Sequence, residues 1–415
     1  MIFKIAWRNI WRNKRRSAIV LVSVIVGVIT LIMQDGLSNG MIMQMLNNQI
    51  KMGIGHIQIH EKGYNDNKTI KNYIADPSVV ENTLNHFLLI KAYSKRVLAQ
   101  GLINSAYNSS GVTICGIQPE LEANMTNIKS SLIEGNYITD KEVPIREGSR
   151  FKTKQIVIGK KLAEKLSVKI GNKISVMTND PEGNRVSDLY RISGIFKTAS
   201  SEFDKSIAFI HIENAQELLN LGSGIHEFSI LLKNTDSIDE ARSNLSRDLG
   251  SKFEVLDYKQ ILPLLLLQID LYRESLFFIN LIFGLALIFG IINVMLMSVF
   301  ERIPEIGVLM SIGMRNMKIF WMIVAEAFTL GCFGTALGLI VGYAVYLPLS
   351  NAGINLSIFE KSLDSFGVGS IIYPVVSIEN LINILLFIPF VAILGAIYPA
   401  IKAVRFEPVT AIRHV

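Results

Sequence analysis

Residues 293–313 read NVMLMSVFERIPEIGVLMSIG, and the passage from apolar to charged and back to apolar within them sets the organisation of the chain. The stretch opens inside an apolar run, 275–300, that meets the roughly 20 residues needed to cross a bilayer as a helix. It then runs into Glu301, Arg302 and Glu305 with no flexible linker between. Pro304 suits a first helical position, where its missing N–H costs no hydrogen bond, and Gly313 suits a C-terminal cap. Val308, Leu309 and Ile312 fall on one helical face with Glu305. Such a segment is either an ordinary loop whose apolar residues dip into lipid, or a brief ordered helix on which a partner pushes. The residues alone leave both open.

Three more apolar runs qualify as membrane helices: 17–33, 319–347 and 381–401. In a chain of 415 residues, half of them apolar, this clustering separates a membrane protein from a soluble one of several domains. A cleaved signal peptide would share the basic start of the first run. However, no small-x-small cleavage site and no lipobox cysteine follow it, so it reads as a retained anchor. Basic residues in short flanks set the orientation. Lys4, Arg8, Arg12, Lys14, Arg15 and Arg16 precede the first run, Arg302, Arg315 and Lys318 separate the second from the third, and Lys402, Arg405 and Arg413 follow the fourth. Residues 350–380 carry Lys361 against Glu360, Asp364 and Glu379. Both termini are therefore expected in the cytoplasm, with the long segment after the first run outside. The net charge of +6 resides in the N-terminal basic cluster, so it reads as topology and assigns no nucleic-acid role.

The expected fold is an α-helical membrane domain with four transmembrane helices plus a large extracytoplasmic α+β domain inserted between helices 1 and 2. Its parts are a cytoplasmic amphipathic helix (1–16), transmembrane helix 1 (17–37), the extracytoplasmic domain (38–270), transmembrane helix 2 (271–300), a cytoplasmic segment (301–318), transmembrane helix 3 (319–348), an outer loop (349–379), transmembrane helix 4 (380–401) and a cytoplasmic tail (402–415). In the first part, Phe3, Ala6, Trp7, Ile10 and Trp11 share one helical face and Lys4, Arg8, Arg12 and Arg15 the other, which suits the headgroup boundary. Residues 36–52 are expected to extend helix 1 outward. In the inserted domain, 55–60, 111–117, 155–158, 173–178, 189–196, 208–212 and 227–233 read as strands, and 77–87, 160–166, 214–221 and 237–249 as helices. Cys115 falls in that domain and Cys332 in the third run, so they cannot pair with each other. The domain must be held by its core.

Enzyme chemistry is hard to find. No G-x-x-x-x-G-K-[ST] phosphate loop and no G-x-S-x-G elbow occurs. His56 and His60 have the spacing of two zinc ligands on a helix, but Ile57 stands where the catalytic Glu of H-E-x-x-H belongs, and the alternation with Ile57 and Ile59 reads as a strand. No metal site is assigned. In the third run, Gly334, Gly338 and Gly342 form a stripe that allows close helix approach, either within the subunit or at a dimer seam. Glu326, about two turns into that run, needs a partner or water; Arg315 and Lys318 are the candidates, with snorkelling to the near interface as the alternative. Asn280 and Asn293 could bond across helices.

The 293–313 block and the C-terminal block YPAIKAVRFEPVTAIR (398–413) resemble the signatures of FtsX-like permease subunits of ABC transporters, a family that includes MacB and the LolC/LolE lipoprotein-release permeases. VIGKKLAEKLSVKIGNKI (157–174) and YRISGIFKTASSEFDKSIAFIHIENAQELL (190–219) look like the outer-domain signature of the same proteins, and Glu326 matches an acid early in the family's third helix. GVTICGIQPELEANMTNIKSSLIEG (111–135), with its G-I-x-P-x-x-E run, is closer to the LolC/LolE branch.

The resemblance implies mechanical work and no catalysis by this chain. It implies a separate ABC ATPase subunit that binds ATP and Mg, with no cofactor held here, a second permease subunit, and residence in the inner (plasma) membrane. It makes 301–318 an ATPase-coupling segment, with Glu301, Arg302, Glu305, Ile306, Gly307, Val308, Leu309, Ile312 and Gly313 as the coupling residues. In the lipoprotein-release branch an acylated protein leaves the membrane for a periplasmic carrier. The cavity for its acyl chain is expected to be lined by Val28, Ile32, Met33, Leu264, Leu267, Leu271, Phe277 and Phe278, which otherwise face lipid or pack together. A MacB-like exporter or an FtsX-like signalling permease is the alternative within the family. A membrane-tethered extracytoplasmic enzyme or sensor is the alternative outside it.

Overall fold

The structure, a computed structural model, describes residues 14–144 and 152–405. Most of the expected amphipathic helix (1–16) and of the C-terminal tail (402–415) lies outside them. Contacts divide the chain into two units, one of residues 14–42, 268–356 and 371–405, the other of 43–267 and 357–370.

The first unit is built on long helices. Lys14–Gln49 ends in a π-helical turn, Ile50–Ile54; Pro263–Glu301, Asn316–Ala352 and Ile378–Val404 complete a set of four long and apolar enough to cross a membrane. The second long helix begins at Pro263, earlier than the expected 271. At 39 residues it is about 58 Å long, against about 30 Å of hydrocarbon. Ile291, Met295 and Val299 of the second helix, Ile319, Ile323 and Ala327 of the third and Val391, Ala392, Ala396 and Ala400 of the fourth form one buried cluster. The alanines permit the close approach. Val20, Val24, Val28, Leu31 and Ile32 of the first helix form another with Leu330, Ile384 and Ile388. Polar side chains join the helices as well: Gln34 Nε2 donates to Asn280 Oδ1 at 3.0 Å and Asn380 Nδ2 to Asp35 Oδ2 at 2.6 Å.

The second unit is an α+β sheet domain. Its strands are β1 (Ile57–Glu61), β2 (Ile90–Asn104), β3 (Ser109–Ile117), β4 (Leu132–Gly135), β5 (Val143–Pro144), β6 (Lys152–Gly159), β7 (Lys173–Asn179), β8 (Arg185–Phe196), β9 (Ile207–His211), β10 (Glu227–Leu232) and β11 (Phe253–Asp257). β2, β3, β9, β6, β8 and β7 pair in a closed circuit, so these strands leave no free edge between them. Ile103, Ile114, Ile156, Ile158, Val176, Tyr190 and Ile210 are buried in the core. From β2 the sheet continues through β10 and β1 to β11. β1 follows the first long helix and β11 leads into the second, so the two chain passages lie on neighbouring antiparallel strands, Ile57 opposite Asp257. Asp257 and Gln260 form a capping box there.

The expected helix at 160–166 is present as Lys160–Leu166. The sequence reading missed β2, the longest strand, together with β11 and the helices Pro119–Met125 and Ser201–Ser206. It also missed that 357–370, between the third and fourth long helices, belongs to the sheet unit. Lys197 pairs with Glu360 at 3.1 Å, Ser201 Oγ donates to Asp364 at 3.1 Å, and Asn48 Nδ2 donates to the Gly367 carbonyl at 2.8 Å.

Candidate functional site

The second long helix stops at Glu301, and a separate short helix, Ile303–Ser311, follows. Between them Arg302 has left helical geometry (φ −109°, ψ 13°) and caps the short helix. Pro304 sits in the first turn. At the other end the Gly313 N–H bonds the Met310 carbonyl and the Met314 N–H the Leu309 carbonyl, while Gly313 takes φ +91°. That pair of bonds is a Schellman motif, and its left-handed residue favours glycine.

The short helix has two faces. Ile303, Ile306 and Gly307 are buried, and Ile306 joins the cluster of the long helices. Glu301, Glu305, Val308 (48% exposed) and Ile312 (79% exposed) face outward, with Leu309 half-buried. Of the expected coupling residues, Ile306 and Gly307 therefore serve this chain's own packing. The outward set is an apolar strip flanked by acids. Arg302 is 9% exposed; its Nη1 donates to Glu326 Oε2 at 3.0 Å and its Nε to Glu305 Oε2 at 3.1 Å. Glu326 is 2% exposed. Among the described residues it pairs with Arg302, not with the candidates Arg315 and Lys318, which are exposed.

The glycine stripe is satisfied within the subunit. A Cβ built on Gly334 would come within 2.8 Å of Val24, one on Gly338 within 2.7 Å of Val28, and one on Gly342 within 2.6 Å of Ile32. The first and third long helices thus approach more closely than any larger residue allows. This corrects the expectation for the cavity: Val28 and Ile32 are fully buried against those glycines and line no open path. Met33 is half-buried. Leu264, Leu267, Leu271, Phe277 and Phe278 are all more than half exposed, along one helix with few partners. Asn280 bonds Gln34, whereas Asn293 is exposed.

The sheet unit holds a second buried guanidinium. Arg96, on β2, donates to both carboxylate oxygens of Glu122 (3.0 and 2.7 Å) and to Glu227 at 2.8 Å. It also donates to the carbonyl of Gly53, in the turn that ends the first long helix. Ser229 Oγ donates to Gly53 and Ile54 carbonyls at 3.0 Å. Burial alone would lower the Arg96 guanidinium; Glu122 and Glu227 outweigh it and hold the charge above its ordinary range. Burial pushes the neighbouring Cys115 thiol up, which suits an inert core residue.

His56, His60 and His226 occupy structural positions. His56 Nδ1 accepts the Leu232 N–H at 3.0 Å, and His226 Nδ1 accepts that of Leu98 at 3.1 Å. His60 contacts the His226 carbonyl and the Gln58 side chain, each at 3.0 Å. Burial lowers all three, His226 to about 4. Among the described residues no group of three or more His, Cys, Asp or Glu converges on a metal position.

Residues 17–248 match the MacB-like periplasmic core domain, and residues 277–408 match the FtsX-like permease C-terminal region. The lipoprotein-releasing system transmembrane protein LolC of Neisseria meningitidis is 26% identical over 346 residues, which cover 78% of this chain and 78% of that relative. The uncharacterized ABC transporter permease YvrN of Bacillus subtilis is 22% identical over 449 residues, covering 99% of this chain and 98% of the relative. The macrolide export ATP-binding/permease protein MacB of Mannheimia succiniciproducens is 22% identical over 432 residues, covering 99% of this chain and 60% of the relative.

Proposed function

The chain belongs to the FtsX-like permeases that carry a MacB-like periplasmic core domain and is a multi-pass ABC transporter permease; from that premise we propose that it takes lipoproteins out of the inner membrane and passes them to a periplasmic carrier. A separate ATPase binds ATP and Mg and supplies the work. It seats on the short helix Ile303–Ser311, whose movement reaches the sheet domain through the first two long helices. In this reading both termini lie in the cytoplasm and the sheet domain outside, which the basic flanks support.

The observation that carries the ATPase reading is the two-faced short helix. One face packs in this chain's core, while Val308 and Ile312, flanked by Glu301 and Glu305, are left to a groove on a partner. Both residues are exposed, so Val308→Asp and Ile312→Asp leave the fold intact and should abolish copurification of the ATPase. Unchanged copurification would remove the docking reading. Cysteines at Asn184 and Asn316 should label from opposite sides of the membrane; labelling from one side would overturn the topology.

The lipoprotein reading is supported by similarity to LolC and by the open apolar row Leu264, Leu267, Leu271, Phe277 and Phe278. Photocrosslinkers at Leu267 and Phe278 should capture an acylated protein before ATP is added. Lipid adducts alone at both would favour MacB-like export or signalling instead.

A further inference from the structure

The short helix is flanked by two bends. On one side the backbone leaves helical geometry at Arg302, and on the other it turns through Gly313 at φ +91°. A bend transmits a push poorly, because φ and ψ can absorb it. Contact with the third long helix must therefore carry any displacement that reaches it. Part of that contact is apolar, Ile306 within the cluster of Ile319 and Ile323. Apolar contact is non-directional and allows sliding. Among the described residues a directional element is Arg302, whose Nη1 holds Glu326 at 3.0 Å while its Nε holds Glu305 at 3.1 Å. Glu326 lies within the third helix, Glu305 within the short one, and Arg302 in the bend that precedes the short one. One planar guanidinium thus ties the short and third helices at a fixed geometry, which a point charge could not do as well.

We infer that Arg302 is a positioning residue that joins the short helix to the third long helix, so that a push on the short helix moves the third helix with it. The inference rests on the docking reading above, and its test separates the two. Nitroxides at Ser311 and Asn351, in a chain with Cys332 replaced by Ala, report the short helix against the far end of the third helix. In nanodiscs, the permease alone should give a narrow distance distribution. With the ATPase and a non-hydrolysable ATP analogue it should stay narrow, because the two ends move as one body. Glu326→Gln should roughly double its width and broaden it further with nucleotide. ATPase copurification should persist in that variant, since the outward face is untouched.

The exchange Arg302→Glu with Glu326→Arg should narrow the distribution again. If the exchanged chain does not fold, Arg302→Lys, which keeps the charge, should stay closer to wild type than Arg302→Met. A wild-type width in Glu326→Gln, with and without nucleotide, would overturn the inference. So would Lys and Met variants that behave alike. Failure of the wild-type chain to bind any ATPase would remove the docking reading, while the widths measured on the permease alone would still decide the role of Arg302.

Discussion

Arg96 and Arg302 are both buried arginines set between two carboxylates, and they are built to different ends. At Arg96 both partners are sealed, with side chains 1% and 6% exposed, and a backbone carbonyl closes the remaining side. At Arg302 one partner, Glu326, is 2% exposed and the other, Glu305, is 47% exposed. A sealed network has no alternative partner, so separating it leaves bare charges in the interior. A half-open network can exchange its outer member with water or with a docked protein at little cost. The first suits an anchor where the helix end enters the sheet. The second suits a joint that must hold inward and give outward.

The largest effect follows from breaking the sealed site. Arg96→Met strands Glu122 and Glu227 and should cost about 3–5 kcal/mol. Hydrogen exchange of β2 and β10 amides in the full chain should accelerate by roughly two to four orders of magnitude, with the helices 316–352 and 378–404 unchanged. Protection equal to wild type would mean that the network is a passive filling of the core.

Acid offers a second way to tell the regions apart. The folded-state value of His226 lies below the ordinary 6.5, at about 4, so the unfolded chain takes up a proton that the folded chain refuses. Stability from this group is complete above about pH 6.5 and is lost as pH falls toward 4, by up to about 3 kcal/mol. The Leu98 amide, which donates to His226 Nδ1, should lose protection across that window. The stretch 299–330 contains no histidine and should not respond in step. Parallel loss in both regions would point to a cause other than His226.

What could be read from the sequence differs between the regions for a physical reason. The long helices announce themselves by apolar length, whereas Pro304, Gly313 and the spacing of Val308 and Ile312 allow a short helix but leave a loop equally open. The glycine stripe was legible as a close approach, but its partners Val24, Val28 and Ile32 were not, because any apolar residue suits a membrane helix. β2 escaped because Ser94 and Arg96 sit at buried positions of the strand, where alternation leads one to expect apolar residues. Their burial is made tolerable by Glu122, which is distant in sequence and lies on a helix that escaped notice too. The Arg302–Glu326 pair spans two helices, and local charge spacing favoured the nearer Arg315 and Lys318. Pairings fixed by tertiary packing leave little trace in local pattern.

Filling the glycine seam should have a smaller effect. Gly338→Val presses on Val28 and should cost about 1–3 kcal/mol, seen as a lower unfolding temperature in detergent. Gly290→Val is the matched control, since a Cβ there meets nothing within 4 Å. Equal effects of the two would mean that the change reflects glycine in a helix and not the seam.

The smallest effect is the one that bears most directly on the two arginines. Glu305→Gln removes the outer carboxylate of the half-open site while Glu326 keeps Arg302 paired. An ion pair about half exposed to solvent is worth only about 0.2–1 kcal/mol, because water screens it and readily replaces it. Hydrogen exchange over 303–314 should therefore rise by no more than about fivefold. Glu326→Gln takes the sealed carboxylate from a buried guanidinium, leaving it the half-exposed Glu305, and should exceed that by at least about tenfold. Glu122→Gln and Glu227→Gln set the reference in the other region, where each partner is sealed and each loss should be large. If Glu305→Gln proves as damaging as Glu326→Gln, then Arg302 is an anchor of the same kind as Arg96. The short helix would then be fixed as rigidly on its outer side as on its inner one.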